Sequence, residues 1–172
     1  MRKCISCLRC FESLNEYNAA GLPPECALNP RYARERKYGN LVHDTKGHTA
    51  IVVGGGPAGM CAAQTLALRG VKVTLLDRQS ELGGTVNLAK KPPLKDRMQW
   101  IADYYNGELK RLGVEVKLNT EATADRIMEY KPDAVILATG SASIIPGKIP
   151  GIMGDNVFTV ESVPVSYTHL TL

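Results

Sequence analysis

Four cysteines and a run of glycines are the residues whose types and spacing bear chemistry. Cys4, Cys7, Cys10 and Cys26 place four thiols within 23 residues, with gaps of 2, 2 and 15. Thiolates ligate both iron–sulfur clusters and structural zinc, and ligand type alone does not separate the two. A structural zinc site usually pairs two C-x-x-C hairpins. Here three cysteines are bunched and the fourth follows the Pro23-Pro24 turn. Without an export signal, such a group points to a metal centre rather than to disulfides. Three readings stand: a [4Fe-4S] cluster, a zinc site, or uncommitted thiols. Cys61 stands apart and reads as a small core residue.

The glycines are Gly54, Gly56 and Gly59, a G-x-G-x-x-G pattern directly after the apolar run Thr49 to Val53. In a dinucleotide-binding turn, the first glycine permits the tight turn out of a strand. The second lets backbone approach a diphosphate, and the third lets helix and strand pack closely. The following helix, opened by Pro57 and Ala58, would turn its free N–H groups toward the phosphates. Asp77 lies 18 residues beyond Gly59, near the offset of an acid that accepts from ribose hydroxyls. Arg78, next along, is a candidate for an adenosine phosphate, against the simpler reading of a surface charge.

These residues need elements to hold them. The pattern predicts strands over Thr49 to Val53, Val71 to Asp77, Val114 to Leu118 and Asp133 to Ala138. Helices are expected over Pro57 to Arg69, Pro93 to Leu112 and around Ala124 to Tyr130. Alternation of this kind means an α/β fold, a Rossmann-like doubly wound parallel sheet, preceded by an irregular cysteine-rich segment. The expected divisions are 1–48 for the cysteine segment and connector, 49–164 for an incomplete dinucleotide-binding domain, and 165–172 for a non-native tail. That tail, Val165 to Leu172, looks like a translated sequencing-library adapter.

Composition narrows the function class. The 172 residues are 44% hydrophobic and 22% charged, an ordinary globular mixture. A net charge of +4 without a basic stripe gives no footprint for nucleic acid. No apolar run approaches the roughly 20 residues of a membrane helix, and Met1-Arg2-Lys3-Cys4 lacks the apolar core of a secretion signal. A cytoplasmic location is expected.

Three further stretches carry a resemblance. Gly56-Pro57-Ala58-Gly59, Glu81-Leu82-Gly83-Gly84 and Ala138-Thr139-Gly140 together resemble the FAD domain of the pyridine-nucleotide-dependent flavoprotein reductases. That resemblance implies Gly83 and Gly84 beside the pyrophosphate, the Ala138-Thr139-Gly140 turn against the flavin, and Ala122 at the adenine. The strand-end acid is Asp77 where that family usually has Glu. No C-x-x-C lies between Gly59 and Pro164, which disfavours direct disulfide reduction.

Arg2-Lys3-Cys4-Ile5-Ser6-Cys7, Cys26-Ala27-Leu28-Asn29-Pro30 and Gly83-Gly84-Thr85-Val86-Asn87-Leu88-Ala89 extend the likeness. Residues 2–163 resemble the cluster and FAD portion of the NADH:flavin oxidoreductases related to 2,4-dienoyl-CoA reductase, enoate reductase and trimethylamine dehydrogenase. The family pattern has three residues rather than two before the third cysteine, and a shorter gap to the fourth. The resemblance implies electrons passing from NAD(P)H through FAD and a [4Fe-4S] cluster to FMN in a barrel, which reduces an unsaturated, enoate- or dienoyl-type substrate. Barrel and pyridine-nucleotide domain are expected partners from the same polypeptide, and the chain alone is expected to be inactive. A reductase subunit of the glutamate-synthase type and a zinc-stabilised nucleotide-binding module are the alternatives.

No residue reads as a catalytic acid for substrate. His43 and His48 read as solvated connector residues. Arg31, Arg34, Glu35, Arg36 and Lys37 read as a solvated helix face. Trp100, Tyr104 and Tyr105 read as packing rather than as a flavin stack.

Overall fold

The run Thr49–Val53 is apolar and β-branched, which suits a strand covered on both faces. It forms the central strand β1 of a parallel sheet. The computed structural model describes residues 2–43, 45, 47–159 and 161–162, so the tail expected over 165–172 lies outside the described residues. β2 (Lys72–Leu76) and β4 (Ala134–Leu137) flank β1, and β3 (Glu115–Lys117) lies beyond β2, in the order β3-β2-β1-β4. Every pairing is parallel, with Ile51 opposite both Thr74 and Val135.

Parallel neighbours need long crossovers, and helices supply them. α1 (Arg9–Tyr17) and α2 (Glu35–Tyr38) precede the sheet. α3 (Pro57–Leu68) links β1 to β2, α4 (Val86–Ala89) and α5 (Gln99–Arg111) link β2 to β3, and α6 (Ala124–Glu129) links β3 to β4. α3 begins with Pro57 at its first turn and is stopped by Gly70 at φ 95°, as helix-end chemistry dictates. The Thr123 hydroxyl caps α6 by accepting from the Arg126 N–H.

One face of the sheet carries the main core, with Val52 and Leu75 against Met60, Ala63, Ile101, Tyr105 and Leu109 of α3 and α5. The other face carries a smaller cluster, Ile51, Val53 and Leu76 under Ala122, Ile127 and Tyr130. Helices thus lie on both faces, as the alternating pattern requires. β4 is one of the two edge strands, and Val135, Ile136 and Leu137 are 41, 36 and 74% exposed.

Several expectations are corrected. The helix expected from Pro93 starts at Gln99, because Leu94 takes a left-handed conformation at φ 64° and residues 96–98 form a single tight turn. The cysteine segment is not wholly irregular, since it contains α1 and α2. The charge run is not simply solvated: Arg34 pairs with Glu25 at 3.3 Å, and Glu25 also takes Arg9 at 3.1 Å. His48 lies 3.6 Å from Asp133, whose carboxylate also accepts the Thr49 N–H at 2.7 Å and holds the start of β1. That hydrogen bond keeps the Asp133 carboxyl below its ordinary range. Among the described residues, no helix is long and apolar enough to cross a membrane.

Candidate dinucleotide site and thiol segment

The expected loops meet at the C-terminal end of the sheet, where ligands of open α/β folds sit. The Gly54 N–H donates to Leu76 O at 2.8 Å and turns the chain out of β1 at φ 108°. A Cβ on Gly54 would lie 2.3 Å from Ala138 O, and one on Gly59 would lie 1.8 Å from Gly54 O. The Gly83 N–H donates to Gly55 O at 2.9 Å, which ties the Gly83–Gly84 turn to the glycine loop. Gly84 is so close that its Cβ would stand 3.0 Å from the Gly56 Cα. Gly54, Gly56, Gly59, Gly83, Gly84 and Ala138 are therefore brought together at one end of the sheet. Pro57 and Ala58 open α3, while Thr139 and Gly140 follow β4 as exposed, irregular chain.

Gly56 differs from its neighbours. Its φ of −73° and ψ of 177° suit any residue, and an added Cβ would meet nothing within 4 Å. Folding gives no reason for glycine there. A bare backbone there, at the N-terminus of a 12-residue helix, is suited to an anion. The residues fit the diphosphate of a dinucleotide.

Asp77 is placed differently from a solvated acid at a strand end. It is 8% exposed, its Oδ2 accepts the Gly55 N–H, and its Oδ1 accepts the Gln79 N–H at 2.7 Å. Each carboxylate oxygen has a second lone pair, so a ribose contact is compatible with these bonds. The Thr120 N–H donates to Asp77 O at 2.8 Å, which brings the Ala122 stretch to the same strand end. Ala122 packs under the sheet, and Arg78 is exposed. Asp77→Ala is expected to lower unfolding free energy by about 1–3 kcal/mol, the usual cost of stranding a buried N–H. Chemical denaturation checks this, and an unchanged midpoint would remove the loop-holding role.

Gly55 was not marked by the sequence pattern. A Cβ there would meet Leu82 Cδ2 at 2.5 Å and Asp77 Oδ2 at 2.7 Å, so a larger residue requires both of those side chains to shift. The unbroken triplet Gly54-Gly55-Gly56 was the available signal.

Cys4, Cys7 and Cys10 are exposed, Cys26 is half-buried, and Cys61 packs at the margin of the main core. Among the described residues, no three His, Cys, Asp or Glu side chains are gathered as ligands of one metal ion. A cubane differs from a single ion in spreading its thiolates over separate irons. The stretches bearing the thiols are nonetheless joined. The Ser13 hydroxyl, fully buried, donates to Cys10 O at 3.2 Å and accepts the Glu25 N–H at 2.7 Å, tying α1 to the residue before Cys26. Ser6 and Leu8, at φ 58° and 61°, turn the chain on either side of Cys7. The Ser6 N–H donates to Cys4 Sγ at 3.4 Å. In type and number the four thiols match the donors of a thiolate-ligated cluster.

Comparison with known proteins now bears on these loops. A family profile described as an NAD(P)-binding Rossmann-like domain matches residues 52–115. NADH oxidase of Thermoanaerobacter brockii is 39% identical over 163 residues, covering 94% of this chain and 24% of that protein. Cinnamate reductase of Clostridium sporogenes is 38% identical, covering 95% of this chain and 24% of its own. The solved structure of a 2-naphthoyl-CoA reductase superposes with a TM-score of 0.81 at 34% identity, covering 94% of this chain and 24% of that one. The chain belongs to the NADH:flavin oxidoreductase family. It spans about a quarter of the length of these family members. Among NADH:flavin oxidoreductases, the matches cover 94–95% of this chain, and the named relatives are oxidoreductases.

Proposed function

We propose that this chain is the electron-transfer portion of a multi-centre NADH:flavin oxidoreductase, holding FAD at the glycine loops and a [4Fe-4S] cluster at Cys4, Cys7, Cys10 and Cys26. The observation that carries it is Gly56, kept bare where the fold does not require it, beside a helix N-terminus and a second glycine turn. In this reading the backbone around Gly54, Gly56 and Gly59 receives the diphosphate, with Gly83 and Gly84 closing over it. Asp77 holds the loop in shape and offers its remaining lone pairs to ribose. Pro57, Ala58, Arg78, Ala122, Ala138, Thr139 and Gly140 complete the cofactor-binding set.

When bound, a flavin exchanges electrons singly or in pairs and a cluster exchanges them singly, so together they convert hydride chemistry into single-electron transfer. The chain's own residues contribute position, exclusion of side chains from the diphosphate, and local charge. The partners are an FMN barrel and a pyridine-nucleotide domain of the longer polypeptide, with NAD(P)H as donor and an unsaturated small molecule as acceptor. The location is cytoplasmic.

Anaerobic reconstitution with iron, sulfide and FAD tests this. The expected product holds one FAD, four irons with acid-labile sulfide, and a broad absorption near 400 nm, as clusters show. Zinc bound in place of iron, with no flavin retained, would overturn it.

A further inference from the structure

One guanidinium joins the thiol segment to the dinucleotide helix. Arg2 donates from Nη1 to Asn29 Oδ1 at 2.9 Å and from Nη2 to Gln64 Oε1 at 2.8 Å. Asn29 lies three residues beyond Cys26, and Arg2 lies two before Cys4. The two tines therefore hold the flanks of the first and last thiols against α3. Gln64 is 3% exposed and fully used, since its Nε2 also donates to Tyr104 Oη and to Glu108 Oε2, both at 2.9 Å. Ile5 and Leu28, beside Cys4 and Cys26, pack on the same core.

The charge of Arg2 is not spent in this arrangement. Both acceptors are neutral amides, no carboxylate pairs with it among the described residues, and its Nε is buried without a partner. Its plane lies over Tyr104 and Tyr105, at 4.8 and 5.6 Å from the ring centroids. Lys3 sits 5.1 Å over Trp100, and Arg97 stacks on Trp100 while donating to the Ser6 hydroxyl. Three cations thus frame the Cys4–Cys7 stretch. If stability alone mattered, a partly buried charge without a counter-ion would be a poor choice. A four-thiolate cluster is anionic, and a nearby cation favours its reduced form.

We infer that Arg2 is a positioning residue that docks the thiol segment on the FAD-binding helix and supplies positive charge to the cluster held there. This rests on the function proposed above for the cluster, while the docking stands on the Arg2 hydrogen bonds alone.

The test uses the full chain with Arg2→Gln and Arg2→Lys. After reconstitution with iron, sulfide and FAD, both variants are expected to lose the cluster in air at least fivefold faster than the parent, because neither keeps the two-tined fork. Only Arg2→Gln is expected to move the cluster midpoint to more negative potential, since Lys keeps the charge. FAD affinity should change less than twofold in both. Asn29→Ala, which cuts only the Cys26 tine, is expected to shorten cluster lifetime at unchanged potential, and it serves if Arg2→Gln does not fold. An unchanged lifetime in Arg2→Gln, or an equal potential shift in both Arg2 variants, would overturn the inference. Should the parent hold no cluster, the proposed function fails, and docking is read instead from Trp100, the single tryptophan. Arg2→Gln is then expected to raise its acrylamide quenching about twofold relative to the parent, and equal quenching would overturn the docking as well.

Discussion

Gly56→Val is expected to fold like the parent and to bind FAD at least about a hundredfold more weakly, or ~2.7 kcal/mol. The backbone there tolerates a side chain, and the space around a Cβ is open, so the substitution strains nothing in the free protein. As a change at a helix N-cap it costs at most about 1 kcal/mol. The branched side chain would stand where the diphosphate must approach the backbone. Titration of FAD against flavin fluorescence, with thermal unfolding in parallel, separates the two effects. Parent-like affinity in a folded Gly56→Val protein would remove the diphosphate from this loop.

Gly59→Val is expected to fail in the opposite way, by loss of the fold. A Cβ at that position would stand 1.8 Å from Gly54 O and 3.3 Å from Ala138 Cβ. Neither the carbonyl nor the strand behind it can withdraw, because Gly54 is pinned to Leu76 and Ala138 to Val53, both at 2.8 Å. Overpacking a close contact of this kind costs about 3 kcal/mol or more, a large part of a small domain's stability. Circular dichroism at rising temperature reads the result. A Gly59→Val protein with parent melting behaviour would show that α3 can slide away from β1. Two glycines three residues apart thus serve different ends, one for packing and one for ligand.

The relation of the two halves of the chain follows from the same contacts. The thiol segment is not a free arm, since Ile5, Leu28 and the Arg2 fork seat it on α3 and α5. The glycine loop and the thiols therefore share one helix, α3, whose N-terminus carries Pro57 and whose body carries Gln64. Trp100, Tyr104 and Tyr105 pack as the sequence reading expects, but what they pack against is cationic.

Strand content, the order of alternation and the glycine loop were legible in the amino-acid sequence because each rests on local physics. A buried parallel strand needs a continuous apolar run, a tight turn needs glycine, and a helix start tolerates proline. The position of β1 could be read to the residue, since Thr49–Val53 is bounded by polar and glycine neighbours. The late start of α5 was not legible, because the left-handed turn at Leu94 is a non-glycine residue held by its surroundings. Asp77 was legible as a strand-end acid, but its commitment to Gly55 depends on how two loops, 22 residues apart, come to rest. The Arg2–Gln64 bond spans 62 positions, and nothing in either neighbourhood announces the other. Which glycine is needed for folding and which for a ligand was likewise a matter of tertiary structure, because pattern shows only that a side chain is absent. The three-dimensional neighbours show whether there was room for one.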